Sequence, residues 1–282
     1  MKTPKKPSPL GGFPPRGGLR LAEALSLLVA LLMTAASLAG LLYPAEVYPA
    51  EESRLSFMPN DAINLVIGFP ALLGSLWLSR RGRLIGLLFW PGALLYVLYN
   101  YLAYLVGLPF GILTLPSLVL VALSTYTLIG LAAGIDGQAV QRQLSGAVPE
   151  RLGGGVLAGL GILVLLRAGA VVGAALADGS APAAAELGTL VADFLICPAW
   201  IVGGVLLWRR KALGYVAGAG LLFQTSTLFL GLIGFMILQP VLTAAPVKAV
   251  DILVVFLMGM ICFIPFALFV RGVVSGQHPP GR

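Results

Sequence analysis

Residues 61–109 read DAINLVIGFPALLGSLWLSRRGRLIGLLFWPGALLYVLYNYLAYLVGLP. Two apolar runs lie on either side of the basic turn Arg80-Arg81-Gly82-Arg83. Each run reaches the roughly 18–20 residues that cross a bilayer as a helix. Lipid offers the backbone no hydrogen bonds, so such runs must be helical. A turn with three arginines is expected on the cytoplasmic side. The stretch therefore predicts a transmembrane hairpin.

The hairpin recurs. An offset of 128 residues, without a gap, places Pro70 on Pro198, Arg81 on Arg209 and Arg83 on Lys211. The same offset places Gly86 on Gly214, Gly92 on Gly220 and Leu94 on Leu222. A proline, a basic turn and two glycines in one register predict a tandem repeat. Internal repeats in multi-pass proteins often enclose a site.

Composition removes most other classes. The chain is 59% hydrophobic and 10% charged, where a soluble domain carries about a quarter charged residues. A net charge of +7 follows from positive loops and does not call for nucleic acid. Cys197 and Cys262 are the two cysteines, without a CxxC pair, and His278 is the single histidine. A thiol-redox motif, a disulfide framework and a His-ligated metal are thereby excluded. No catalytic motif is present, so the expectation is a non-enzyme with no cofactor and no metal.

The fold class expected is all-α, an eight-helix polytopic bundle built as a 4+4 parallel repeat. A disordered basic arm spans 1–20. The first half, 21–134, holds helices at 21–42, 62–78, 84–106 and 110–133. A polar cytoplasmic linker covers 135–151. The second half, 152–272, holds helices at 152–176, 186–207, 212–238 and 252–270, followed by a tail at 273–282. The segment 43–60, with YPAE at 43–46 and again at 48–51, reads as an external acidic loop able to cover a site. Pro59-Asn60-Asp61 reads as the start of the second helix, with Asp61 its N-cap. With both termini inside, fifteen of the eighteen Lys and Arg fall on the cytoplasmic side. Arg54 and Lys248 fall outside, and Arg167 lies within a helix. Gly155 and Gly159, Gly169 and Gly173, and Gly214 and Gly218 form GxxxG pairs, which predict close helix packing.

Polar side chains inside the spans supply the candidate site. Arg167 and Asp193 fall about 14 and 10 Å below the outer ends of adjacent antiparallel helices, at roughly 1.5 Å per residue. Ionisable residues at such depth face the bundle interior, paired. Tyr96, Asn100 and Tyr104 share one stripe of their helix, with Tyr101 and Tyr104 also readable as interfacial aromatics. Gln224 and Thr227 match Tyr96 and Tyr99 at the 128-residue offset. The candidate ligand-binding set is Arg167, Asp193, Asn100, Tyr96, Gln224 and Thr227.

Two segments carry a resemblance. NDAINLVIGFPALLGSLWLSRRGRLIGLLFWPGALLYVLYNYLAYLVG and TLVADFLICPAWIVGGVLLWRRKALGY resemble a widespread group of uncharacterised bacterial multi-pass membrane proteins. That likeness implies a helical bundle in the bacterial inner membrane and names no substrate. The expected function is binding or transport of a small solute through an outer-half polar cavity between the halves. A small anionic or lipid-like ligand is expected there, facing Arg167. The competing reading is a structural or regulatory subunit whose polar residues only lock the bundle. A protein partner or homo-oligomer stays open beside the lipid bilayer.

Overall fold

Apolar side chains cover every side of the helix Leu84–Gly107, and 89% of its membrane-crossing stretch is buried. A helix apolar all round belongs at the centre of a bundle, and the others pack around it. The computed structural model describes residues 16–275. In order these form α1 (Arg16–Leu42), α2 (Pro44–Val47), α3 (Glu51–Ile63), a π-helical stretch (Asn64–Gly68), α4 (Phe69–Arg80), α5 (Leu84–Gly107) and α6 (Thr114–Gly134). Then follow α7 (Gly137–Leu144), α8 (Glu150–Asp178), α9 (Ala184–Trp208), α10 (Ala212–Leu242) and α11 (Ala249–Ser275). Eight helices are long and apolar enough to cross a membrane, α3 through α4 forming one continuous span. Residues 1–15 of the expected arm and 276–282 of the expected tail lie outside the described residues. Residues 16–20 form the first turns of α1, where Leu19 packs against the core.

Two apolar clusters meet on α5. One gathers α1, α4 and the Trp90–Tyr104 part of α5. The other gathers α7 through α11 and the remaining face of α5. α5 and α10 approach each other closely. A Cβ added at Gly92 would run into the Gly220 carbonyl, and one at Gly220 would sit 3.3 Å from the Gly92 nitrogen. These two glycines are 128 residues apart.

The basic turns are built alike. Arg81, Gly82, Arg83 and Gly86 donate backbone N–H bonds to Trp77, Ser79, Leu78 and Arg83. Arg209, Arg210, Lys211 and Gly214 donate to Val205, Leu207, Leu206 and Lys211, each donor and acceptor shifted by 128. Gly82 is left-handed at φ 70°, and Arg210 takes the same place at φ 55°. Arg210 is the non-glycine residue with positive φ among those described. The even number of spans puts these turns, α7 and both ends of the described chain on one face of the bundle. Glu46, Glu51, Glu52, Glu186 and Asp251 gather toward the opposite, acidic face.

The structure differs from four expectations. The segment 43–60 is not an open loop, because α3 begins at Glu51 and runs without a break into the π stretch. Pro59 lies inside α3. Proline frees the carbonyl four residues earlier, and the Gln239 side chain of α10 donates to that Leu55 oxygen at 3.0 Å. Asp61 is therefore a mid-helix residue, not an N-cap. The linker 135–151 contains α7, whose N-cap Asp136 accepts bonds from the Gln138 and Ala139 amides. Among the GxxxG pairs, Gly159, Gly169 and Gly173 face open space, so they pack nothing within the chain. Gly154 and Gly204 make the tight crossing of α8 and α9 instead.

Candidate functional site

Asp61 is fully buried, with 0% of its surface exposed. Its two oxygens accept bonds from the Tyr48 hydroxyl at 2.5 Å and the Tyr104 hydroxyl at 2.9 Å. Among the described residues no Lys, Arg or His nitrogen pairs with it. A carboxylate out of water and without a cation is costly to hold. The two YPAE copies explain the local fold. The first makes α2 and leaves Tyr43 60% exposed, whereas the second drives Tyr48 inward to 0%. Burial and the adjacent Asp61 push the Tyr48 phenol far above the ordinary tyrosine range, so it stays a donor. Room for this contact exists only because α1 carries glycine at position 40. A Cβ there would run into the Asp61 carboxylate and lie 2.7 Å from the Tyr48 hydroxyl.

A file of polar groups continues inward from Asp61. Tyr104 Oη also lies 3.1 Å from the Phe57 carbonyl and accepts from the Asn60 amide at 3.2 Å. The same Asn60 amide donates to Asn100 Oδ1 at 3.1 Å. Asn100 donates to the Tyr96 carbonyl at 2.9 Å, and the Tyr96 hydroxyl lies 3.4 Å from Asn64 Oδ1. Asn64 opens the π stretch. Its amide nitrogen and the Ser37 hydroxyl are buried without hydrogen-bond partners. Ser37 faces both the Asp61 carboxyl and the Tyr101 hydroxyl. Buried polar atoms without partners are rare; the others among the described residues are the Ser117, Ser124 and Ser226 hydroxyls, outside this file.

Arg167 and Asp193 meet separately, between α8 and α9. The guanidinium is 3.7 Å from Asp193 and 3.8 Å from Glu186. Both separations exceed hydrogen-bond length. The Arg167 side chain is 55% exposed and that of Asp193 only 4%. Tyr99 of α5 donates to Asp193 at 2.8 Å. Two carboxylates already face this arginine, so an anion arriving there would have to displace one of them.

The six candidates thus fall into three places. Arg167 and Asp193 form the α8–α9 pair. Asn100 and Tyr96 belong to the Asp61 file. Gln224 accepts from Trp200 Nε1 at 3.0 Å and donates to the Leu95 carbonyl at 3.2 Å, tying α10 to α9 and α5. Thr227 donates back to its own helix at the Phe223 carbonyl. Sequence reasoning missed Asp61, Tyr48, Tyr104 and Asn60 as members of the file, and Tyr99 and Glu186 as partners of the pair. Asn60, Asp61 and Asn64 recur at one-turn spacing opposite the Tyr96–Asn100–Tyr104 stripe, a signal that Pro59 disguised. A pocket of about 360 Å³ lies elsewhere, on the basic face between residues 146–149 and α11 around Arg271.

Eight apolar spans, seven of them arranged around the central α5, define a multi-pass helical membrane protein. No protein-family model, curated protein or solved structure matches the chain.

Proposed function

We propose that this is a bacterial inner-membrane protein that binds, and moves across the bilayer, a small polar solute entering through the Asp61 file. The observation that carries the reading is a fully buried, cation-free carboxylate inside a membrane bundle, in hydrogen-bonded continuity with three asparagines. Ionisable groups at membrane depth are retained where a pathway needs them. The π stretch beside them points the same way, because such bulges concentrate at functional sites.

In this reading the halves are tandem parallel repeats. The identical turn geometry at an offset of 128 and the contact of Gly92 with its own equivalent, Gly220, support it, since equivalent residues meet on a two-fold axis. The basic face is cytoplasmic, with both termini, by the positive-inside rule. The file then opens outward.

The test is a single cysteine at position 100 in a background lacking Cys197 and Cys262. A polar, membrane-impermeant maleimide added from the acidic side is expected to label it, and a bound solute to slow that labelling. A cysteine at Glu46 serves as the accessible control. Labelling of the control but never of position 100 would leave the polar file as dry packing, the structural-subunit reading.

A further inference from the structure

We infer that the Asp61 site binds a small organic cation of the alkylammonium class. The inference rests on the reading that the file admits a solute, and it names the chemistry of that solute.

The carboxylate supplies the counter-charge and has no cation of its own among the described residues. Its walls are aromatic. Tyr48 stacks on Phe57 with ring centroids 6.2 Å apart, Phe57 meets Tyr104 edge-on at 4.7 Å, and Tyr101 lies 5.2 Å from Tyr104. Aromatic rings beside a carboxylate attract ammonium groups through the ring quadrupole, and most strongly where water is excluded. The Ser37 hydroxyl faces the same carboxylate and adds a polar group to the wall. A hard metal ion demands a shell of about six or more oxygens, and the walls here offer mainly ring faces and edges instead. Among the described residues no group of three metal-binding side chains exists anywhere. An anion is disfavoured by the carboxylate itself.

Entry is also arranged for a cation. Glu46, Glu51 and Glu52 stand exposed beside the mouth against Arg54 alone. A surface of one sign raises the local concentration of the opposite ion. Tyr48 is the plug. It sits in the short link between α2 and α3, outside the membrane-crossing helices, and its hydroxyl closes directly on Asp61. Swinging this link outward, with α2, would uncover the carboxylate between Phe57, Tyr101 and Tyr104.

Radiolabelled tetramethylammonium is the probe, in equilibrium dialysis against the full chain in neutral detergent. Saturable binding is expected, competed by unlabelled tetramethylammonium and not by sodium, acetate or uncharged tert-butanol. Asp61→Asn keeps the shape and one of the two acceptor oxygens, removes the charge, and is expected to weaken binding roughly tenfold or more. Phe57→Leu keeps the apolar volume and removes a ring, for a loss of roughly three- to tenfold. It serves as the independent variant where Asp61→Asn folds poorly. No saturable binding to the unsubstituted protein, or equal binding by Asp61→Asn or by Phe57→Leu, overturns the inference. Protection of a cysteine at position 100 by acetate or tert-butanol, with tetramethylammonium inert, would refute the cation class while leaving the solute pathway standing. A position 100 that never labels removes both.

Discussion

Arg167→Ala is expected to destabilise the bundle by about 3–5 kcal/mol, the cost of stranding a buried charge. Asp193 loses its cation while 96% of its side chain stays out of solvent, since only 4% is exposed. Asp193→Ala is expected to cost less, about 1–3 kcal/mol, because it leaves the Tyr99 hydroxyl without its acceptor. Arg167 then keeps Glu186 as a partner at 3.8 Å and remains half open to its surroundings. The double variant should resemble Asp193→Ala alone, because the charge that Arg167 neutralises has gone. Reversible unfolding in mixed micelles measures all three. Equal and additive losses would show that the pair is not coupled.

Gly92→Ala is the second large effect. Its new methyl would run into the Gly220 carbonyl, a backbone atom that no rotamer change can move aside. Overpacking in a tight core costs about 1–3 kcal/mol, and this position belongs at the upper end. Gly220→Ala meets backbone at 3.2–3.3 Å, so its loss should be smaller. Gly130→Ala in α6 meets nothing within 4 Å and gains helix propensity of up to about 1 kcal/mol, so it should be neutral or stabilising. Melting temperatures of the three variants in one detergent test the order. A Gly92→Ala protein as stable as Gly130→Ala would mean that α5 and α10 do not cross here.

The architecture was legible because lipid leaves few choices. Long apolar runs separated by basic turns admit only helices in alternating directions, and the eight spans follow. The approach of Arg167 to Asp193 was legible for a similar reason, as two charged residues at comparable depth on adjacent antiparallel helices. What stayed hidden depended on contacts remote in the chain. Pro59 reads as a helix breaker until Gln239, from another helix, satisfies the carbonyl that it frees. With that boundary misplaced, Asp61 reads as a cap and its neighbours as loop. Tyr48 and Tyr43 stand in identical YPAE contexts, and nothing local says which one turns inward. Gly40 decides it, by leaving space on α1 for one hydroxyl and one carboxylate. Gln224 and Thr227 were placed with the site by their match to the first half, but partners in α9, α5 and their own helix hold them elsewhere.

In the proposed pathway the polar file begins at Asp61, opens at the acidic face and is closed there by Tyr48. The most direct measurement is the rate at which an impermeant thiol reagent modifies a cysteine at Asn60, with Tyr48 intact and with Tyr48→Ala. Sealed proteoliposomes whose acidic face points outward allow the reagent to be added to one side. Modification is expected to be slow with Tyr48 in place and at least about tenfold faster with Tyr48→Ala, equal to about 1.4 kcal/mol of closure. Equal rates in the two backgrounds, or modification only from the basic side, would contradict it.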